Sequence, residues 1–534
     1  MHTGSCATII SSGGACLGIE LGSTNIKACL IDPAGRTLAT GSHSWENQFV
    51  DRMWTYSLDA VREGLAGVYD NLKAEVKAEY DVDLTEVAAF GISAMMHGYL
   101  AFDADGELLV PFRTWRNTNT GPAAAELTAA LGFNIPLRWS VAHLYQAILD
   151  DEPHVGRIAH LNTLAGYVHE LLTGQRALGV GDASGMFPID PKTCTYDAAM
   201  VAKFDALAAA RGFARPLVDL LPQVASAGVG VGVLTADGAK LLDPSGQLRP
   251  GAVACPPEGD AGTGMVATNA VSPRTGNVSA GTSIFAMVVL EHPLSQVYEE
   301  IDVVTTPTGD PVAMVHCNNG SSELGSWAGV FGEFARAIGA DVDTNAVFAA
   351  LLGAALDGAP DGGGMLAYNF LSGETIAGLD EGRPMVVRTP GSTLNLANFA
   401  RTQVYAVFAT MALGMRTLAA EGVGLDELLA HGGLFRTAGV AQRLMAAAVG
   451  APVAVAETAG EGGAWGIAVL ARYAQAIRDG ETRTLGAWLD AEMFADARTV
   501  VVEPDAADVA GFAAYLDTFA AGLAIQHAAT TAIH

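Results

Sequence analysis

The chain has 534 residues, half of them hydrophobic and 16% charged, and its 29 basic residues face 57 acidic ones for a formal charge of −28. At ~100–200 residues per domain the length implies at least two lobes, and so apolar a composition excludes a disordered chain. The acidic balance excludes nucleic acid or an anionic membrane as partner, so any anionic ligand must be held by backbone dipoles, a divalent cation and a few placed lysines.

Six scattered cysteines, with no CxxC pair, read as reduced thiols. Residues 1–15 form an N-terminal extension without the basic patch and apolar stretch of a signal peptide. No apolar run reaching the ~18–20 residues of a membrane span is evident in the sequence. The expectation is a cytoplasmic protein, with a homodimer left open.

In chain order, 16–32 reads as strand, turn, strand: CLGIEL, GST, NIKACLID. Residues 55–79 carry helical spacing, 87–95 (VAAFGISAM) a buried strand, and 161–174 a helix closed by Gly174. The Gly-rich 226–251 predicts short β structure near a junction. At 276–290 the opening pattern returns as GNVSA, GTS, IFAMVVL, which suggests a duplicated domain with a Gly-hydroxyl turn in each copy. Helices are expected near 397–421, within 431–450, over 462–476, and through the Ala-rich tail after Asp490. Alternating strands and helices give an α/β class.

No GxxxxGK[ST] loop, HRD, HExxH or GxSxG is present. The chemistry lies instead in EGDAGTG at 258–264, where Asp260 sits among glycines just ahead of Gly281, Thr282 and Ser283. Successive N–H groups and hydroxyls make a nest for phosphate oxygens, and a carboxylate beside such a nest is what phosphoryl transfer to an alcohol needs. Read alone, the stretch is equally a glycine-rich surface loop. In the first hairpin Gly22, Ser23, Thr24 and Asn25 supply donors, Lys27 a cation, and Glu20 a carboxylate for a metal. Gly432 and Gly433, followed by Gln442, join a glycine turn to a helix, a place for a nucleotide and also a common ligand-free turn. His97 ends a buried strand, where a histidine is more often structural. Trp115 with Asn117 offers an apolar face and amides suited to a polyol. Asp182 falls in a polar turn and reads as structural.

Taken in order, IELGSTNIK, GISAMMHG, the Trp115 segment, GDASG, EGDAGTG, SAGTS, LSGE at 371–374 and HGG with Gln442 resemble the FGGY family of carbohydrate kinases over nearly the whole chain. The resemblance implies two actin-like, ribonuclease-H-like domains with a cleft between them, a sugar-side domain over 16–265 and a nucleotide-side domain over 266–534. It implies ATP and Mg²⁺, and a small-molecule sugar as partner. By position it places the catalytic base on Asp260, which with Glu20 also serves the metal. Phosphate contacts fall on Gly22, Ser23, Thr24, Asn25, Lys27, Gly281 and Thr282, and the nucleoside side on Gly432, Gly433 and Gln442. Sugar contacts fall on Met96, His97, Trp115, Asn117 and Asp260.

Three positions depart from the family pattern. Glu20 stands where most members have Asp, Met95 replaces the usual Gln, and the W-x-D-x-R of xylulokinases becomes Trp115-Arg116-Asn117-Thr118-Asn119. The last change argues against a standard xylulokinase pocket, and the wording around it looks most like a bacterial L-ribulokinase branch. The expected reaction is phosphorylation of L-ribulose at its 5-hydroxyl, with xylulokinase or another polyol or ketose kinase as the alternative and an actin-like ATPase further off.

Overall fold

The structure is a computed structural model that describes residues 3–436, 439–456, 462–497 and 499–533. The chain divides into two compact units: Met1–Val271 with Val303–Val312 and Gly460–Asp496, and Ser272–Asp302 with Ala313–Ala459 and Ala497–His534. A single boundary after residue 265 is therefore corrected: it would cut the helix Asp260–Ala267, and the helix Gly462–Arg478 belongs to the first unit. The reason is steric. Gly18 presents bare backbone to this helix, and a Cβ there would overlap Ala464 O and lie 2.7 Å from Ala468 N. The 1–15 segment carries a helix, Thr3–Ser11, that packs within the first unit.

The first unit is built on a six-stranded sheet. Its order runs Val253–Ala254, Ala89–Ala94, Cys16–Leu21, Asn25–Ile31, Thr37–Ser44, and the short strand Glu258–Gly259 also pairs with Ala89–Ala94. The helix Leu58–Tyr80 buries Val61, Leu65, Val68, Leu72 and Val76 along one stripe, the 3.6-residue periodicity of an amphipathic helix. Ser57 caps its first turn and left-handed Asp81 ends it.

The sheet of the second unit runs Pro311–Cys317, which enters it at Ala313, then Ile284–Val289, Thr275–Ala280, Glu427–His431, Val453–Ala456 and Thr499–Val502. In both units the opening strand pairs antiparallel with its hairpin partner and parallel with a later strand. That repetition is the duplication implied by the two Gly-hydroxyl turns. The helix Leu396–Ala420 is buried nearly all round, and its Arg401 is paired 3.0 Å from Asp508 in the core.

Three local expectations change. The strand His160–Asn162 precedes a helix that starts only at Leu164, capped by Thr163 and closed by Gly174. The 226–251 stretch contains the helix Ala236–Leu242 in place of β structure, with Thr235 as its cap. The tail holds the strand Thr499–Val502 before its helix Ala506–Ala532. By length and composition that last helix is apolar enough to cross a membrane, which the sequence reading missed. Its Phe512, Tyr515, Leu516 and Phe519 are buried in the core of the second unit, so a packed core accounts for its apolarity.

Candidate active site

In the first unit the expected residues gather at the carboxyl ends of parallel strands, where α/β sheets bind ligands. Register sets this out row by row. Lys27, Glu20 and Ser93 stand side by side, and Ser93 also pairs with Glu258. In the next row Leu21 pairs with Ala94, and Ala94 with Gly259. One residue further, Asp260 opens the helix Asp260–Ala267. Its Oδ1 accepts N–H bonds from Met96 at 3.1 Å and Ala261 at 3.0 Å. The carboxylate is open at its own surface yet ringed by protein at longer range. That dense surround pushes its pKa up, while the N–H groups and the Arg138 charge hold it down.

Glu20 is half-buried, and its pKa is raised by burial first and the charge of Asp260 second, with Lys27 opposing. Two carboxylates that feel each other suit Mg²⁺, which takes one or two protein carboxylates and keeps water and phosphate oxygens for its remaining positions. Among the described residues no group of three His, Cys, Asp or Glu could hold a metal, so the donor set does not suit an all-protein cage.

The first turn exposes Ser23 and Thr24 at its tip. It is braced from behind by a stacked Trp45–Tyr56 pair with ring centroids 4.2 Å apart. Trp45 Nε1 donates to Gly22 O at 2.7 Å, and Tyr56 OH donates to Ser23 O at 2.6 Å. Asn25 is committed to the hairpin, since its Nδ2 donates to Thr24 Oγ1 and its Oδ1 accepts from Ser44 Oγ.

On the sugar side Met96 and His97 follow the strand Ala89–Ala94, with His97 held at φ 70°. Its ring lies 3.4 Å from Gly185 O, and burial keeps it neutral, its pKa well below the usual value. A bridge between Tyr99 and Arg113 sets the Trp115 segment beside this pair. Trp115 is 37% exposed, with the Arg116 guanidinium over its ring at 5.4 Å. Asn117 does not offer its amide. Its Oδ1 accepts from Trp54 N, and its Nδ2 donates to Trp54 O and Thr114 O, all within a buried turn. The expected polyol contact there is thus a loop fastener.

In the second unit the turn 281–283 and the glycine pair come together. Ser279 pairs with His431, and Gly432, at φ 109°, lies so close behind Ala280 that a Cβ would fall 2.9 Å from its carbonyl carbon. Thr282 borders a cavity of about 190 Å³ lined also by Asn318, Asn319, Gly320 and Asn369. Asn319 ties that wall together, accepting from Leu371 N and Ser372 N and donating to Glu374. Gln442 stands apart from the turn. Its Nε2 donates to Val453 O at 2.7 Å and Val500 O at 2.5 Å, fastening two strands. The expected nucleoside contact is a structural amide.

Three residues of the first unit's site, Arg138, Thr263 and Glu258, lay outside the sequence expectations, and a fourth, Asp182, was expected there only as structural. Arg138 is near enough to His97 and Asp260 for its charge to act on both. Thr263, fully buried, meets Ser93 Oγ at 2.9 Å. Asp182 and Glu258 are each 1% exposed, and burial pushes their pKa values to about 7 and about 8. The GDASG and EGDAG motifs carried the signal for this pair, but not its burial.

The chain matches the model described as the FGGY family of carbohydrate kinases, N-terminal domain, over 15–243, and the C-terminal domain model over 276–475. A curated relative, a xylulose kinase of Streptomyces coelicolor, is 24% identical over 204 residues, which is 36% of this chain and 40% of that one. The match thus spans about two fifths of that relative's length. Among solved structures, a xylulose kinase from Rhodospirillum rubrum superposes with TM-score 0.77 at 18% identity, covering 96% of this chain and 99% of that one. A gluconate kinase from Lactobacillus acidophilus gives TM-score 0.76 at 17% identity, covering 96% and 98%. Both units therefore have the actin-like, ribonuclease-H-like architecture.

Proposed function

We propose, for a chain that belongs to the FGGY family of carbohydrate kinases, that its acceptor is a ketopentose, phosphorylated by ATP at a terminal hydroxyl, with the 5-hydroxyl of L-ribulose as the preferred one. The observation that carries this reading is the placement of Asp260: a carboxylate fixed through Oδ1 by two backbone N–H groups, next to Met96 and within the field of Arg138. Oδ2, which takes neither of these bonds, is the oxygen assigned to receive a proton. The sugar hydroxyl donates that proton to Oδ2 as its oxygen bonds to the γ-phosphorus, and the bond to the bridging oxygen breaks to release ADP. Within the first unit the tip of the first turn and Lys27 are assigned to phosphate oxygens; within the second, Gly281 and Thr282 take that role and Gly432 the nucleoside side. Mg²⁺ at Glu20 and Asp260 would neutralise charge on the transferring group.

L-Ribulose is put first because the segments WENQFVDRMWTY, SAMMHGYLAFD and PFRTWRNTNT resemble the L-ribulokinase branch and lack the W-x-D-x-R of the xylulokinase pattern. A second reading, D-xylulose, is favoured by the name of the Streptomyces coelicolor relative. The test is coupled ADP release across L-ribulose, D-ribulose, D-xylulose, ribitol and glycerol. The proposal expects release that depends on a ketopentose, with the highest kcat/KM for L-ribulose. A maximum at D-xylulose selects the second reading, and release independent of any sugar overturns both.

A further inference from the structure

The GDASG motif, expected as a polar turn, forms a single helical turn, Val180–Ala183, in the segment 179–185, whose ends touch two different parts of the proposed apparatus. At its start Glu258 is the partner. Glu258 Oε1 accepts Gly181 N–H at 3.3 Å, Oε2 accepts Asp182 N–H at 2.8 Å, and Gly179 N donates to Pro257 O at 2.7 Å. The fit leaves no spare room, since a Cβ on Gly181 would fall 2.5 Å from Oε2. At its end Gly185 backs onto the sugar pair, and a Cβ there would lie 2.6 Å from His97 Nδ1 and 2.9 Å from Met96 Cε. In between, Asp182 Oδ2 accepts from Thr163 Oγ1 at 2.6 Å. Ser184 Oγ accepts from Thr305 N at 3.0 Å and donates to Gly181 O at 2.6 Å. The turn is thus fastened at four places.

Glu258 also lies two residues before Asp260, in a strand whose Gly259 pairs with Ala94 just ahead of Met96. A Cβ on Gly259 would fall 2.8 Å from Met96 Cγ and 3.2 Å from Asp182 Oδ1, so Asp182, Met96 and the peptide bearing Asp260 are packed against one another. Any shift of the turn must move both the Met96–His97 pair and the approach of Asp260.

We propose that Glu258 is a positioning residue, whose carboxylate locks the 179–185 turn and through it sets Met96, His97 and Asp260 for the transfer. The proposal rests on the reading of Asp260 as base. Glu258 is 1% exposed, and both its carboxylate oxygens are taken up by the backbone N–H groups of Gly181 and Asp182. Its contribution is placement, and a displacement of ~1 Å in a catalytic group can cost ~10²-fold in rate.

The test is Glu258→Gln in the full chain. Glutamine keeps the shape but turns an NH₂ toward a backbone N–H that needs an acceptor. The expected result is kcat lowered ~10–100-fold and ketose KM raised, with ATP KM unchanged and the thermal midpoint well above assay temperature. Wild-type kcat and ketose KM overturn the proposal. Should that variant fail to fold, Glu258→Asp decides, since it keeps the charge but withdraws the acceptor by one methylene: a raised ketose KM at unchanged ATP KM supports the proposal, and an unchanged ketose KM overturns it. Asp260→Asn, assayed alongside, separates the two ideas. An active Asp260→Asn sinks the base reading itself, whereas an inactive one beside a fully active Glu258→Gln sinks only the positioning role.

Discussion

Gly432→Ala perturbs the nucleotide-side turn at its tightest point. The backbone there sits at φ 109°, which L side chains rarely adopt. The new Cβ would meet Ala280 C at 2.9 Å and N at 3.0 Å, with the carbonyl oxygen closer still. Strained backbone costs ~1–3 kcal/mol, and forced overpacking ~1–3 kcal/mol more. Relief comes by moving Ala280, the residue that leads into Gly281 and Thr282. If ~1–3 kcal/mol of transition-state stabilisation is lost with that turn, kcat/KM for ATP falls ~5–150-fold. Gly422→Ala is the matched control. It shares a positive φ of 79° but has nothing within 4 Å, so it should lower stability by ~1 kcal/mol and leave ATP kinetics alone. The assay is steady-state ADP release with ATP varied at saturating ketose. Gly432→Ala with wild-type kcat/KM for ATP would refute the assignment of this turn to the nucleotide.

Removing Asp508 strands Arg401, itself 1% exposed, and frees Arg443, so Asp508→Ala should cost ~3–5 kcal/mol in denaturant unfolding. Gln442→Ala should lower stability by loosening Val453 and Val500, while ATP KM measured below the melting temperature stays unchanged. His143 has both ring nitrogens unpartnered among the described residues, and burial with the Arg113 charge pushes its pKa down to about 3. It stays neutral in the fold while the unfolded chain takes up a proton below ~6.5, so its contribution to stability is lost as pH falls below that value, at ~1.4 kcal/mol per unit. Thermal midpoints of wild type and His143→Phe, compared from pH 6.5 to 4.5, should show the steeper fall in wild type.

The parts legible in the sequence were those whose signal is local. A Gly-hydroxyl turn between β-branched runs specifies its hairpin within about a dozen residues, so both hairpins and the duplication were readable. What stayed hidden depends on partners far along the chain. Gln442 has its amide claimed by Val500, 58 positions away, and Asn117 by Trp54, 63 positions away. Nothing in either residue's neighbourhood announces that. The helix Gly462–Arg478 looks like part of the domain it follows until Gly18 gives it a bare surface in the other. The burial of Asp182 and Glu258 was not legible because burial is a tertiary property. The strand Thr499–Val502 was masked by the alanine-rich composition around it, although its own run of valines is β-branched.

The base assignment is tested most directly by ketose-dependent turnover of Asp260→Asn. The account predicts a fall of ~10²–10⁴-fold in kcat, with ATP binding and thermal midpoint retained. Turnover within a few-fold of wild type would contradict it.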